Sequence, residues 1–166
     1  MPNFESERQI IAQQLRVRLD EISRAMYSQR QPVTKVQAKV TGPGRGPERP
    51  PKSGYTSITL PHVWGGFDQT TWFKLRVEVA KSMRGKRVDL LLWPEGECLA
   101  FINGKPVQGI DTNRRQIVLS EKAKAGQVFE VFLEGVPSTK DDVQRFFHYA
   151  DIAVMHPEVW EYYWDA

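Results

Sequence analysis

The dipeptide Asn103-Gly104 constrains the fold of this chain more than any other feature, because it stands between two apolar, strand-like runs. An Asn-Gly pair in that position is the strongest short hairpin signal, since a type I′ turn needs a positive φ at both central residues. The run before it, residues 98–102, and the run after it, residues 106–111, are therefore predicted to pair. We expect the stretch 71–111 to form the β unit on which the rest of the chain packs.

Strand patterns also occur on both sides of this hairpin. Residues 72–79 alternate strictly, with Phe73 on an apolar face and Trp72 on a mostly polar one, which is typical of a half-buried strand. Residues 87–93 are apolar for most of their length, as expected of a strand covered on both faces. Further strands are predicted at residues 116–119, 128–133 and 149–154. Many short strands without alternating helices predict a mainly β fold, an antiparallel β-sandwich of jelly-roll type.

Residues 1–27 are predicted to form an N-terminal amphipathic helix. Its apolar residues recur at three- and four-residue spacings and make one stripe, Ile11, Leu15, Leu19, Ile22 and Met26. A single apolar stripe has to be buried against something. We expect the helix to lie on the β unit or to dock on another part of the protein.

Residues 28–58 are rich in proline and glycine and are interpreted as a linker or a wrapping segment. Its centre, residues 41–54, is expected to run extended over the surface, and residues 34–40 alternate as an added edge strand would. The β-sandwich is expected to span residues 59–155. Within it, residues 139–147 are predicted to be a loop that carries a helical turn.

A short C-terminal helix is predicted for residues 156–166, opening just after Pro157. Trp160, Tyr163 and Trp164 fall at three- and four-residue spacings and share one face. Since nothing downstream shields this aromatic face, we expect the chain to be a piece of a longer protein.

Composition excludes several classes of protein. The chain has one cysteine, Cys98, so it contains neither an internal disulfide nor a four-thiolate zinc site. No apolar run of 18 residues and no signal-peptide pattern is present, so we expect a cytoplasmic protein that does not contact membrane. Residues 1–54 hold ten Lys and Arg against five Asp and Glu. This basic arm permits contact with nucleic acid, but its dispersed charges favour a solvated helix and linker, and we predict no nucleic-acid partner.

Two sets of residues resemble a known enzyme family. The order of residues 72–77, 85–88 and 96–111 is similar to the galactose-binding-like β-sandwich of large glycosidases. Residues 150–154 followed by residues 157–165 resemble the junction where the N-terminal domain of family 38 α-mannosidases passes into the catalytic barrel. The cytoplasmic, bacterial and vacuolar branch of that family is the most similar. The resemblance covers about residues 60–165.

The resemblance implies a parent enzyme that hydrolyses terminal α-mannosides with retention. In the family an aspartate is the nucleophile, a carboxylic acid protonates the leaving group and a zinc ion is held by His and Asp residues. The His-x-Asp metal motif and the Arg-Asp nucleophile segment are absent from this sequence. We therefore expect no catalytic residue, metal or cofactor in this chain, zinc in the parent's catalytic domain, and no activity of the chain alone. Residues 156–166 would then begin the linker toward that catalytic domain.

The histidines and carboxylates give little support to chemistry in this chain. His62, His148 and His156 are widely separated and have no partner at metal-ligand spacing. Glu95 and Glu97 flank a glycine and could lie ~5 Å apart like paired catalytic carboxylates. Two surface glutamates in a turn are the commoner case.

The aromatic residues leave two functions open. Trp64, Phe67 and Trp72 flank the first clear strand, and Trp160, Tyr163 and Trp164 share the terminal helix. These six are the candidate site residues, either as an interface with the catalytic domain or as a carbohydrate surface, because aromatic rings are enriched in interfaces and stack on sugars. The favoured hypothesis is a non-catalytic domain that orients the catalytic domain and supports subunit contacts in a homo-oligomer. The alternative is a carbohydrate-binding module in which Trp64 and Trp72 bind mannosides.

Overall fold

The computed structural model describes residues 4–43, 46–136 and 142–165. Within them, two helices flank twelve short strands. The helices are α1 (Phe4–Ala25) and α2 (Pro157–Asp165). The strands are β1 (Tyr27–Pro32), β2 (Lys35–Pro43), β3 (Thr56–Ile58), β4 (His62–Gly65), β5 (Gln69–Glu78), β6 (Val88–Leu92), β7 (Cys98–Ile102), β8 (Lys105–Ile110), β9 (Gln116–Ser120), β10 (Val128–Gly135), β11 (Gln144–Phe147) and β12 (Ala150–Met155).

The strands form two main antiparallel sheets that pack face to face as a jelly-roll sandwich. One sheet has the order β1-β12-β6-β9 and the other has the order β3-β2-β5-β10-β7-β8. A third, two-stranded sheet pairs β4 with β11. The mainly β sandwich with one helix at each end agrees with the fold that the sequence predicted.

The predicted hairpin is present. Ile102 pairs with Lys105 across a two-residue loop. Asn103 has φ 50° and Gly104 has φ 78°, so both central residues take the positive φ that a type I′ turn requires.

The sandwich core is built from the inward-facing residues of both sheets. The apolar face of β5 is buried, from Phe73 to Val77, as the alternation predicted. All five residues of β6 are buried, in agreement with its mostly apolar sequence. At about 25 cal/mol for each Å² of apolar surface removed from water, these two strands contribute a large share of the folding free energy.

The segment 28–58 differs in part from the expected linker, because residues 28–32, 35–43 and 56–58 are strand, whereas residues 46–55 contain no strand. It supplies most of β1, together with β2 and β3. The predicted edge strand, β2, lies inside its sheet between β3 and β5. The proline content misled the prediction, since Pro32 and Pro43 fall at strand ends, where a missing N–H costs little.

The segment 139–147 also differs from the expected loop with a helical turn. Residues 144–147 form β11, which pairs with β4 through Arg145 and Trp64. Residues 139–141 lie outside the described residues. The aromatic pair Phe146-Phe147 takes the alternate burial of a strand, with Phe147 buried and Phe146 exposed.

Candidate functional site

Trp64 of β4 lies inside the sandwich, where it contacts β5 and the loop after β6. It is 4% exposed, and its Nε1 donates to the carbonyl of Pro94 at 2.8 Å. Its ring meets Phe73 edge to face at a centroid distance of 5.5 Å. A Cβ built on Gly96 would come within 2.9 Å of the indole. The ring therefore occupies space that only a glycine leaves free, and its role is structural.

Trp72 is also buried, although it lies on the mostly polar face of β5. It is 0% exposed and packs against Phe101 at a centroid distance of 5.5 Å. Phe132 and Tyr55 complete this small cluster on the outer face of the sheet. The pKa of the Tyr55 hydroxyl is raised to about 12, first by burial and then by the charge of Glu130. The outer cluster shields Trp72 from any ligand in solution.

The expected sugar-stacking surface is therefore not formed by the three aromatic residues around β4 and β5. Trp64 and Trp72 are covered, while Phe67 is 58% exposed. The backbone N–H of Phe67 donates to Asp142 Oδ1 at 3.1 Å, which fixes the turn that carries it. A single exposed phenylalanine does not make a platform for a carbohydrate.

The two helices leave the sandwich from one place, the paired ends of β1 and β12. Tyr27 pairs with Met155 in that ladder. The N–H of His156 donates to the carbonyl of Met26 at 2.9 Å, and Ser28 Oγ lies 2.7 Å from His156 Nε2. These contacts join the end of α1 to the start of α2. The helices also contact each other, and we call them the helical pair.

The helical pair presents a large apolar surface to solvent. On α2, Trp160 is 39% exposed and Trp164 is 66% exposed. The rings of Trp160 and Trp164 lie 6.0 Å apart, and Tyr163 meets Trp164 edge to face at 5.3 Å. The sequence thus placed Trp160, Tyr163 and Trp164 together correctly.

On α1, the apolar stripe is covered only near its C-terminal end. Met26 is buried just beyond the helix, and Leu19 and Ile22 are half-buried. Among the side chains of α1 whose burial the structure describes, the large apolar ones that remain exposed are Ile10, Ile11, Leu15 and Val17. The predicted apolar stripe included Ile11 and Leu15. It did not include Ile10 and Val17, which lie outside its three- and four-residue spacing.

The sequence of the sandwich matches a known protein family. The family model described as alpha-mannosidase, jelly roll domain matches residues 32–155. The match covers about three quarters of the chain. The chain belongs to this family. A comparison with curated protein sequences gives no match.

The matched residues correspond to the sandwich and leave out both terminal helices. The matched range begins at the last residue of β1 and ends at the last residue of β12. Both α1 and α2 therefore lie outside it. Among the described residues, no helix is long and apolar enough to span a membrane.

The carboxylate of Glu95 stabilises a loop of this α-mannosidase jelly-roll domain. Glu95 Oε1 lies 2.5 Å from His148 Nε2, and Oε2 accepts the N–H of Phe146 at 2.8 Å. The hydrogen bond with His148, followed by the one from Phe146, lowers the pKa of Glu95. A catalytic general acid needs a raised pKa instead. Glu95 is therefore suited to joining the loop after β6 to Phe146 of β11 and to His148, which lies between β11 and β12.

Asp89 is the one fully buried carboxylate that the described residues contain. It accepts hydrogen bonds from Tyr27 Oη at 3.3 Å and from Arg87 Nε at 3.1 Å. Burial raises the pKa of Asp89, while Arg87 acts in the opposite direction. Through these bonds the side chain of Asp89 joins Tyr27 of β1 to Arg87, the residue directly before β6.

The described residues offer no metal centre. No group of three or more His, Cys, Asp or Glu side chains within residues 4–43, 46–136 and 142–165 could hold a metal ion.

The sequence did not predict one of the concave sites on the surface. It is a cleft of about 580 Å³ between β2 and β3 on one side and β4 on the other, and Thr71 of β5 also lines it. Its size falls in the range of small-molecule sites, ~300–1,000 Å³. No local sequence signal could have found it, because the lining residues come from four strands that only the tertiary fold brings together.

Proposed function

We propose that this chain is the non-catalytic N-terminal domain of an α-mannosidase and that the helical pair docks it on the catalytic domain of the same polypeptide. The observation that carries the proposal is the exposed aromatic face of α2, which leads away from a sandwich of the α-mannosidase jelly-roll family. Large aromatic residues at the centre of an interface supply most of its binding free energy.

The junction of the helices supports this role. The backbone bond from His156 to Met26 and the ladder pair Tyr27 with Met155 fix both helices to the same sheet edge. A partner that binds the helical pair would therefore also fix the orientation of the sandwich. Two separate flexible tails would not transmit orientation in this way.

The parent enzyme, on this proposal, hydrolyses terminal α-mannosides in the cytoplasm. Its zinc and its catalytic carboxylates would lie in the catalytic domain, as the resemblance to family 38 implies. The same apolar surface would support homo-oligomer contacts where it extends past the interdomain interface. The proposal includes no role for nucleic acid or membrane.

The test uses the full polypeptide encoded by the gene that contains this sequence. We expect the double variant Trp160→Ala/Trp164→Ala to lose most of its hydrolysis of 4-nitrophenyl α-D-mannoside and to unfold at a lower temperature. Truncating central aromatic residues of an interface costs about 2 kcal/mol or more each. The same substitutions in the 166-residue chain should leave the unfolding midpoint of the sandwich unchanged, because both side chains are exposed there.

Tyr162→Ala is the matched control, since Tyr162 is an exposed aromatic residue on the opposite side of α2. It should retain activity within about twofold. Two results would overturn the proposal: a gene that encodes no glycosidase domain beside this one, or a double variant with the activity and midpoint of the wild type.

A further inference from the structure

The strand β3 is a free edge of the six-stranded sheet. It pairs with β2 on one side only, where Val36 lies opposite Ile58 and Ala38 lies opposite Thr56. Because the backbone groups of alternate residues point to opposite sides of a strand, some N–H and C=O groups of β3 face away from β2. In the described part of the chain these outward groups have no hydrogen-bond partner. Thr56 and Ser57 are exposed, so a further strand can approach them.

The other edges of the two main sheets are protected against an added strand. Charged residues, prolines and bulges on an edge hinder pairing with another chain. β1 and β8 each carry a charged residue, a proline and a shift in register. The ladder of β9 has a shift in register, and the side chain of Gln108 donates to the carbonyl of Gln116 at 2.7 Å. Residues 56–58 contain no charge and no proline, and their ladder is regular, so short length is the one protection of β3.

The inner side of β3 borders the cleft of about 580 Å³, which has largely apolar walls. Ile58 of β3 lines this cleft together with Ala38 and Val40 of β2 and Val63 of β4. Val40 is 57% exposed and Val63 is 45% exposed, so their apolar surface is open to solvent. Since side chains alternate along a strand, a strand added to β3 would place every second side chain over this surface.

The outer side of β3 borders a second groove, of about 380 Å³, which is rich in positive charge. It is lined by Lys35, Lys74 and Arg76 and by one carboxylate, that of Glu130. Lys74 pairs with Glu130 at 2.7 Å, and Arg76 pairs with Glu78 at 3.0 Å. Lys35 has no ion-pair partner among residues 4–43, 46–136 and 142–165, and it lies opposite Arg76 in the ladder. Like charges in such a pair repel, so an anionic side chain beside Lys35 would be stabilising.

A second uncompensated charge lies near the same edge. Lys39 donates to the carbonyl of Ser53 at 2.7 Å, and this neutral acceptor leaves the positive charge of the ammonium unbalanced. Lys35, Gln37 and Lys39 share the outer face of β2, and Gln37 lies opposite Ser57 of β3. Because Ser57 is small and exposed, it does not shield the two lysines from a strand that lies beside β3.

We propose that the free edge of β3 binds an extended segment of a partner protein in which apolar and acidic residues alternate. Backbone hydrogen bonds to β3 supply affinity, and the two grooves select the alternating side chains. The apolar side chains of the segment pack on Ile58, Val40 and Val63, while its carboxylates face Lys35 and Lys39. This site is separate from the helical pair and does not rest on the proposed interdomain role.

The experiment titrates the 166-residue chain with a capped seven-residue peptide of alternating glutamate and valine and follows the ¹⁵N amide signals by NMR. We expect a dissociation constant on the order of 0.1 mM, with shifts concentrated in β3 and β2. At a peptide concentration of 1 mM, the outward amides of β3 should exchange with solvent about tenfold more slowly, because they gain hydrogen bonds.

A peptide with the same composition, but with its glutamates and valines in two separate blocks, is the control ligand. It should bind at least fivefold more weakly, because its side chains do not alternate between the two grooves. Equal binding of both peptides, or shifts in β8 in place of β3, would overturn the proposal. Protection of the β3 amides in a dimer of the free chain would assign the edge to a second copy and would also overturn it.

Lys35→Glu tests the charge of the outer groove. The reversed charge should weaken binding of the alternating peptide about fivefold. Lys105→Glu is the matched control, because Lys105 is an exposed lysine on β8, the opposite edge of the same sheet. Wild-type affinity in Lys35→Glu would contradict the role given to this groove.

Val40→Asp tests the inner side. A carboxylate in the cleft removes an apolar contact and repels the acidic peptide, so binding should weaken about tenfold. Val118→Asp, at an exposed position of the four-stranded sheet, should bind like the wild type. Retained binding in a Val40→Asp chain with the wild-type urea midpoint would count against the cleft. A negative titration would leave the interdomain proposal standing, because that proposal is measured by the activity of the full polypeptide.

Discussion

Ser28 Oγ lies 2.7 Å from Nε2 of His156, although 128 positions separate the two residues in the chain. Ser28 belongs to the first strand after α1, and His156 directly precedes α2. The bond therefore fixes the base of the helical pair to the edge of the four-stranded sheet. This contact makes the exposed aromatic residues of α2 part of one body with the sandwich.

His156→Ala should loosen α2 without affecting the sandwich. The side-chain bond to Ser28 is lost, and a hydrogen bond of this kind contributes a net ~1 kcal/mol. We expect the amide of Trp160, which bonds to the carbonyl of His156, to exchange about fivefold faster with deuterium. Ser57→Ala, an exposed serine of β3, is the control. Unchanged exchange at Trp160 would show that Ser28 does not hold the helix.

Gly135→Ala should destabilise the whole domain. A Cβ at this position would collide with the six-membered ring of Trp64, which is held by its bond to Pro94. Overpacking of this kind costs about 1–3 kcal/mol, measured as the free energy of unfolding in urea. Gly109→Ala is a matched control in another strand, because nothing lies within 4 Å of its added Cβ. A loss below about 0.5 kcal/mol for Gly135→Ala would contradict the packing described for Trp64.

The carboxyl group of Glu95 should titrate below its ordinary pKa of 4.5, because His148 and the N–H of Phe146 stabilise the ionised form. Stability from this group is fully present above pH 4.5 and is lost as the pH falls through the lower folded-state pKa. Carboxyl ¹³C NMR measures the titration. In His148→Ala the pKa of Glu95 should rise toward 4.5, since the largest cause is removed. An unchanged pKa in that variant would assign the shift to Phe146 alone.

Cys98 should resist thiol reagents in the folded protein. Its side chain is buried, and burial raises the pKa of the thiol to about 12. Only the thiolate is nucleophilic, so a disulfide reagent at pH 8 should leave the native chain unmodified and should react once urea unfolds it. The urea midpoint of the reaction should coincide with that of tryptophan fluorescence. Rapid labelling without denaturant would show that β7 opens locally.

The sequence predicted the elements whose signals are local. The type I′ turn at Asn103-Gly104 depends only on backbone preferences of adjacent residues, and the structure confirms it. The alternation around Phe73 depends on the two-residue period of one strand, and the inward face is buried as expected. For such elements, the conformational preferences of neighbouring residues are sufficient to predict the local structure.

The prediction was wrong where the environment of a residue is set by distant segments. Alternation placed Trp72 opposite Phe73 correctly, but its burial results from Phe101, Phe132 and Tyr55, which come from other parts of the chain. Strands β1 and β2, inside the predicted linker segment, likewise form because β12 and β5 provide ladders for them. Proline content carries no information on such partners.

The sequence by itself determined the strand periods, the hairpin, the aromatic face of α2 and the resemblance to α-mannosidases, because each is written in neighbouring residues. Only the tertiary structure decided which tryptophans are accessible, that both helices leave from the paired ends of β1 and β12, and that a cleft lies between β2, β3 and β4. These properties depend on contacts between segments far apart in the chain, and no local pattern encodes which surface another segment will cover.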